Sequence, residues 1–195
     1  MSKYVFDMGG VITKPYYLKG LYNELNTQIN YTDFKYYFYC SQESQDAYKG
    51  LINIEEFFYK ISSGSKENYS IEELIKIYQA YKGGLYRTTL LIMQYLKERG
   101  NQLYLLSNLN EIDHLYLEKN MDLNIFDQEF LSYKMHKVKP DKEIYEEVIK
   151  ELGTNDFYFF DDSKTNIESA LELGIKAYKT TGNEINETMK LIYKK

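Results

Sequence analysis

The stretch Tyr4-Val5-Phe6-Asp7-Met8-Gly9-Gly10-Val11-Ile12 decides how the chain is read. An apolar, β-like run ends in one carboxylate, and two glycines follow within three residues. A carboxylate at the C-terminal end of a buried strand, with little side-chain bulk after it, opens to a crevice. There it can attack an electrophile or hold a metal ion. Taken alone, an Asp before Gly-Gly reads more readily as a turn residue that caps its own backbone. The catalytic reading rests on what recurs downstream: Ser107, Lys139 and the pair Asp161-Asp162 stand in similar contexts and in chemically sensible order.

Working outward, residues 16–82 carry helical periodicity and no convincing strand. Leu18, Leu21, Tyr22 and Leu25 repeat at helical spacing, and Phe34 to Tyr39 reads as helical. Asn53 is placed to cap a helix whose first turn holds Glu55 and Glu56, and Ser70-Ile71-Glu72-Glu73 fits a capping box opening a helix at 71–81. Ser62-Ser63-Gly64-Ser65 reads as a loop. From Leu85 onward, helices predicted at 86–98, 111–119, 143–152, 165–173 and 184–193 alternate with strands at 103–106, 126–131, 157–160 and 175–178. Alternation of this kind gives a parallel sheet with right-handed crossovers, and ligands then bind outside the carboxyl ends of its strands. Asp7, Ser107 and Asp161-Asp162 all fall at strand ends. The expected fold class is α/β, a Rossmann-like parallel sheet flanked by helices, with a small α-helical cap inserted after the first strand. The core comprises residues 1–14 and 83–195, and the cap residues 15–82.

At 195 residues the chain can bury a sizeable core. A net charge of −5, with no basic block, argues against nucleic acid or a membrane surface as partner. The single cysteine, Cys40, cannot form an internal disulfide and is assigned to packing. The N-terminus shows no signal-peptide pattern, so a cytoplasmic location is expected. The 22 tyrosines are taken as packing and amphipathic surface, although Tyr16-Tyr17 and Tyr36-Tyr37 have the chemistry to stack on a substrate ring.

With these elements in place, the chain resembles the haloacid dehalogenase (HAD) superfamily, in its helical-cap phosphatase branch similar to glucose-1-phosphate phosphatases. Asp7-Met8-Gly9-Gly10-Val11 looks like the first family motif, and Leu103-Tyr104-Leu105-Leu106-Ser107-Asn108 the second. Lys139-Pro140-Asp141 looks like the third, and Asp161-Asp162-Ser163-Lys164-Thr165-Asn166 the fourth. Lys49-Gly50-Leu51-Ile52 followed by Glu56-Phe57 looks like a cap element of the sugar-phosphate branch. The resemblance implies a phosphatase with Asp7 as nucleophile and Lys139 as a catalytic and substrate-binding charge. Ser107 and Asn108 would bind the phosphoryl oxygens. Mg²⁺ would be held by Asp7, Asp162 and the carbonyl of Gly9, with Asp161 and Asn166 supporting from behind. The implied partner is a small phosphorylated metabolite, and the chain would be a monomer or homodimer.

Singly, each of these residues has a structural reading. Asp161-Asp162 can cap the following helix, Ser107 can be a turn residue, and Lys139 a solvated loop lysine. Together, in order, they favour a site. His114 and His136 lack partners at useful spacing and read as surface or loop residues; the resemblance places His136 where relatives often carry Gly, so it is expected either to take a left-handed backbone or to face the substrate. One departure matters. Most phosphatases of this family carry a second Asp two residues after the nucleophile, acting as general acid and base, and here that residue is Gly9. Such assistance is typically worth about 10²–10⁴-fold in rate. A water, a substrate hydroxyl or a cap residue would replace it, with Glu43 and Lys14 as candidates by position. Two other readings follow from the same residues: a catalytically weak phosphometabolite-binding protein, suggested by Gly9, and a metal-independent dehalogenase, opposed by Asp162.

Overall fold

The computed structural model describes residues 1–62, 65 and 67–193. The expected loop residues Ser63 and Gly64 lie outside the described residues. Strands β1 (Lys3–Phe6), β2 (Gln102–Ser107), β3 (Gln128–Leu131), β4 (Tyr158–Asp161) and β5 (Lys176–Lys179) form one sheet in the order β3-β2-β1-β4-β5. Every pairing in it is parallel. The central strands are near-continuous apolar runs because helices cover both faces. Tyr4, Phe6, Leu103, Leu105 and Phe160 pack on one face with Met93 and Leu96 of α6 (Arg87–Glu98) and Met189 of α11 (Ile185–Tyr193). Val5, Tyr104, Leu106 and Phe159 pack on the other with Ile144 and Val148 of α9 (Lys142–Leu152) and Ile167 of α10 (Lys164–Glu172). This is the alternation a two-residue side-chain period demands.

Between β1 and α6 the chain leaves the sheet for α1 (Leu18–Leu25), α2 (Tyr31–Cys40), α3 (Gln42–Tyr48), α4 (Ile54–Ser62) and α5 (Ile71–Ala80). Leu21, Leu25, Phe34, Phe38, Phe57, Phe58, Leu74 and Tyr78 build a separate, aromatic-rich core there. The local signals behave as their chemistry requires. Asn53 Oδ1 accepts from the Glu56 N–H at 2.8 Å, and Ser70 with Glu73 closes a reciprocal capping box. Helix α3 has no counterpart in the elements expected from sequence. Its residues, Gln-Glu-Ser-Gln-Asp-Ala-Tyr, show no apolar period, and only Ser44 and Ala47 are buried. Its start comes from the Ser41 side chain, which accepts from the Ser44 N–H.

Two single-residue expectations are corrected. Cys40 is exposed at the end of α2 and is not part of a core. His114 is not a surface residue: it is buried in α7 (Glu111–Asn120), 3.0 Å from Glu129 and 3.1 Å from the Tyr133 hydroxyl. His136 does adopt the left-handed conformation (φ 56°), and its ring nitrogen lies 2.8 Å from the carbonyl of Lys49.

Candidate active site

Strand register alone brings the polar strand ends together. Phe6 pairs with Phe160 and with Leu105, so the residues that follow, Asp7, Asp161 and Leu106-Ser107, reach the same sheet edge on three adjacent strands. The Asp7 N–H extends the ladder to the Phe160 carbonyl at 2.9 Å. After Asp7 the chain turns back on itself, with the N–H groups of Ile12 and Thr13 both donating to the Met8 carbonyl. Gly10 sits at φ 73°, and a Cβ there would lie 2.2 Å from Asp162 Oδ2, so only glycine lets Asp162 approach.

Lys139 enters between the carboxylates. Its ammonium donates to Asp7 Oδ1 at 2.7 Å, to Asp161 Oδ2 at 2.6 Å and to the Leu106 carbonyl at 3.0 Å, which uses its three donors. Asn108 lines the cavity, and its amide clamps the Lys139 backbone, accepting from the Lys139 N–H at 2.8 Å and donating to its carbonyl at 2.7 Å. Ser107 Oγ donates to Asp7 Oδ1 at 2.9 Å. Asp161 is fully buried, and both its oxygens are committed to the Ser163 N–H, the Asn166 amide and Lys139. Asn166 therefore orients Asp161.

The electrostatics follow from burial and charge count. Burial pushes the Asp7 carboxyl up to about 7, with Lys139 opposing and Asp161 adding to the shift. Burial, then the Asp161 charge, also raises Asp162. Burial alone would lower Lys139, but the Asp161 and Asp7 carboxylates hold it above its ordinary value. One cation thus stands among three carboxylates, and the local surplus is negative.

That surplus suits a divalent cation. Asp7, Asp161 and Asp162 each present an oxygen, and these atoms lie within 4.8 Å of one another. Asp7 Oδ2 and both Asp162 oxygens accept no hydrogen bond from a described side chain. The ligand set is all hard oxygen, which fits Mg²⁺ better than a softer transition metal.

A cavity of about 300 Å³ opens over this cluster. Its inner end is Asp7, Ser107, Lys139 and Asp162, and its outer wall comes from the helical insertion and α7. A family model described as haloacid dehalogenase-like hydrolase matches residues 4–179. The chain belongs to the haloacid dehalogenase-like hydrolases. A sesquiterpene phosphatase of Aspergillus oryzae is 27% identical to this chain over 178 residues, spanning 88% of it and 85% of that protein. A HAD family enzyme of Bacteroides thetaiotaomicron, solved in complex with magnesium and inorganic phosphate, is 25% identical. It superposes with a TM-score of 0.79 over 93% of this chain and 95% of its own. A HAD-like family hydrolase of Porphyromonas gingivalis matches with a TM-score of 0.80 at 21% identity over 98% of both chains, which shows the common fold.

Residues that no motif marks also line the cavity of this HAD-like hydrolase, among them Tyr16, Tyr39, Tyr48 and Asp113. Tyr16 precedes α1, Tyr39 lies on α2, Tyr48 ends α3, and Asp113 lies in the first turn of α7. The only local sequence signal for Asp113 is its place three residues after Asn110, whose side chain accepts from the Asp113 N–H at 2.9 Å as a helix cap. Of the two proton-transfer candidates proposed by position, Lys14 reaches the cavity wall. Glu43 does not line it: its carboxylate faces Lys60 of α4 at 3.3 Å, away from the reacting groups. Tyr17 and Tyr36 are exposed and take no part.

Proposed function

We propose that this chain is a Mg²⁺-dependent phosphatase that hydrolyses a small phosphorylated metabolite, a sugar phosphate by class, through an aspartyl-phosphate intermediate. The observation that carries the reading is Asp7, held at the central strand end by Ser107 and Lys139 on one oxygen while the other stays free. In the first step an Asp7 oxygen forms a bond to phosphorus as the bond from phosphorus to the ester oxygen breaks, and the departing alkoxide takes a proton from solvent. Water then attacks the phosphoryl group, releasing phosphate and restoring the Asp7 carboxylate. Asp7, Asp162 and the Gly9 carbonyl would hold Mg²⁺, which would supply charge neutralisation for the phosphoryl oxygens. Lys139 contributes its charge, since its three N–H groups are already occupied. Asp161 and Asn166 fix Lys139 in that position, and Asn108 fixes its backbone. The helices α1 to α5 act as the cap.

The likeness to a phosphatase and to an enzyme crystallised with magnesium and phosphate supports this reading. The test is phosphate release from a panel of phosphorylated metabolites, with Mg²⁺ and with EDTA, beside Asp7→Asn. Release that needs metal and is lost in the variant is expected. Release retained by Asp7→Asn would overturn the proposal. Gly9 favours a second reading, a protein that binds phosphometabolites without turnover, and tight binding with no release on any substrate would establish it.

A further inference from the structure

At the outer end of the cavity lies a buried charge that the proposed chemistry does not use. Asp113 is 2% exposed, and its Oδ1 collects three donors. The Lys82 ammonium donates at 2.5 Å, the Tyr16 hydroxyl at 2.5 Å and the Tyr78 hydroxyl at 3.1 Å. Its Oδ2 accepts no hydrogen bond from any described residue. No enclosed side-chain polar atom among the described residues is left unpaired, so this oxygen opens to the cavity that Asp113 lines. Lys82, itself buried, balances the carboxylate charge. The free oxygen is therefore an acceptor that adds little repulsion toward an anionic substrate.

A donor stands in the same wall. The Tyr48 hydroxyl makes no hydrogen bond with any described residue, and Tyr48 lines the cavity. Burial, then the Asp113 charge, raises its phenol well above the ordinary value, which keeps it a donor. Its backbone is fixed to the sheet domain. The Tyr48 carbonyl accepts from Ser132 Oγ at 2.6 Å, and Lys49 Nζ pairs with Asp141 at 3.7 Å. Gly50, at φ 63°, packs so closely on the Tyr133 carbonyl that a Cβ would lie 2.4 Å from its oxygen.

A free acceptor and a free donor in one wall match a group that is both donor and acceptor, and in a small phosphorylated metabolite the simplest such group is an alcohol. We infer that the outer end of this cavity reads a hydroxyl group on the organic part of the substrate, with Asp113 Oδ2 accepting its proton and the Tyr48 phenol donating to its oxygen. The inference deepens the phosphatase reading and rests on it. It assigns the substrate to hydroxylated phosphate monoesters and excludes purely hydrocarbon esters as preferred ligands. An alkyl or prenyl chain would leave the carboxylate oxygen and the phenol unpaired, and unpaired buried polar groups are costly.

The test is a binding ratio, measured by calorimetry on the full chain carrying Asp7→Asn with Mg²⁺ present. A panel of hexose monophosphates is compared with cyclohexyl phosphate, which has the same ring size and no hydroxyl. At least one hexose phosphate is expected to bind about tenfold or more tightly than cyclohexyl phosphate. Adding Tyr48→Phe should shrink that ratio by about tenfold, and Asp113→Asn by at least as much. Because Asp113→Asn also disturbs Lys82 and can weaken the fold, Tyr48→Phe decides the matter. Equal binding of cyclohexyl phosphate and every hexose phosphate, or a ratio that survives Tyr48→Phe, would overturn the assignment. Phosphate release from an aryl phosphate by the unmodified chain tests the phosphatase reading separately, and its failure would leave the binding ratio measurable.

Discussion

Two buried lysines mark the two ends of the cavity, and they keep different company. At the inner end Lys139 is shared between Asp7 and Asp161, with Asp162 close by, so negative charge exceeds positive. At the outer end Lys82 faces Asp113 alone, and the charges balance. A phosphate dianion would meet repulsion at the inner end without a divalent cation, so recognition there is proposed to be by charge and to need metal. The outer end has no net charge to offer and discriminates by hydrogen bonds. On the proposed reading, one side of the cavity serves the reaction and the other the identity of the substrate.

The largest effect that would sharpen this contrast is the loss of the proposed nucleophile. Asp7→Asn should reduce phosphate release by more than about a thousandfold, and single-turnover kinetics would check that chemistry, not release, is lost. Breaking the lysine pairs should cost stability at both ends. Lys139→Met leaves two buried carboxylates facing each other and should cost about 3–5 kcal/mol. Lys82→Met strands one carboxylate that still has two phenol donors, and should cost less. Urea denaturation of both variants gives the ranking, and the reverse order would break the charge-count argument.

A smaller effect concerns the missing acid. A Cβ at Gly9 would lie 3.8 Å from Asp7 Oδ2, an ordinary contact, and the residue is not in the left-handed region. Gly9→Asp should therefore fold and speed the hydrolysis of alkyl phosphates by up to about a hundredfold. Aryl phosphates, with better leaving groups, should gain little. Equal gains on both would place the effect elsewhere than in proton transfer.

The smallest effect is a pH dependence at the inner end. The Asp7 carboxyl is raised to about 7, so its contribution to stability is present at acid pH and is lost as pH rises through about 7. Between pH 5 and 8 the metal-free chain should lose thermal stability relative to Asp7→Asn, and Mg²⁺ should shrink the difference by favouring the carboxylate. The opposite slope would contradict the burial-driven shift.

The inner end is legible in the linear sequence because its residues sit at ends of strands whose apolar runs are unmistakable. Asp7, Ser107 and Asp161 each follow such a run, and their order matches a family. The roles of Asn108 and Lys139 are less legible. Whether an amide faces a ligand or clamps a backbone depends on a neighbour 31 positions away. Helix α3 buries too little to leave a periodic pattern, and Tyr48 at its end is equally unmarked. Asp113 and its three donors come from the start, the end and the exit of the helical insertion and from α7, with sequence separations of 31 to 97.

Local order of apolar and polar residues, acting over a few positions, was enough to specify the parallel sheet, the capped helices and the carboxylates at the strand edge. No helix among the described residues is long and apolar enough to cross a membrane. The pairing of Lys82 with Asp113, the commitment of one Asp113 oxygen and the freedom of the other, and the arrival of Tyr48 beside it were decided only by tertiary packing. Hydrogen-bond partnership is a property of atoms within about 3 Å of each other, and nothing in a linear spacing encodes which distant side chains meet at that range.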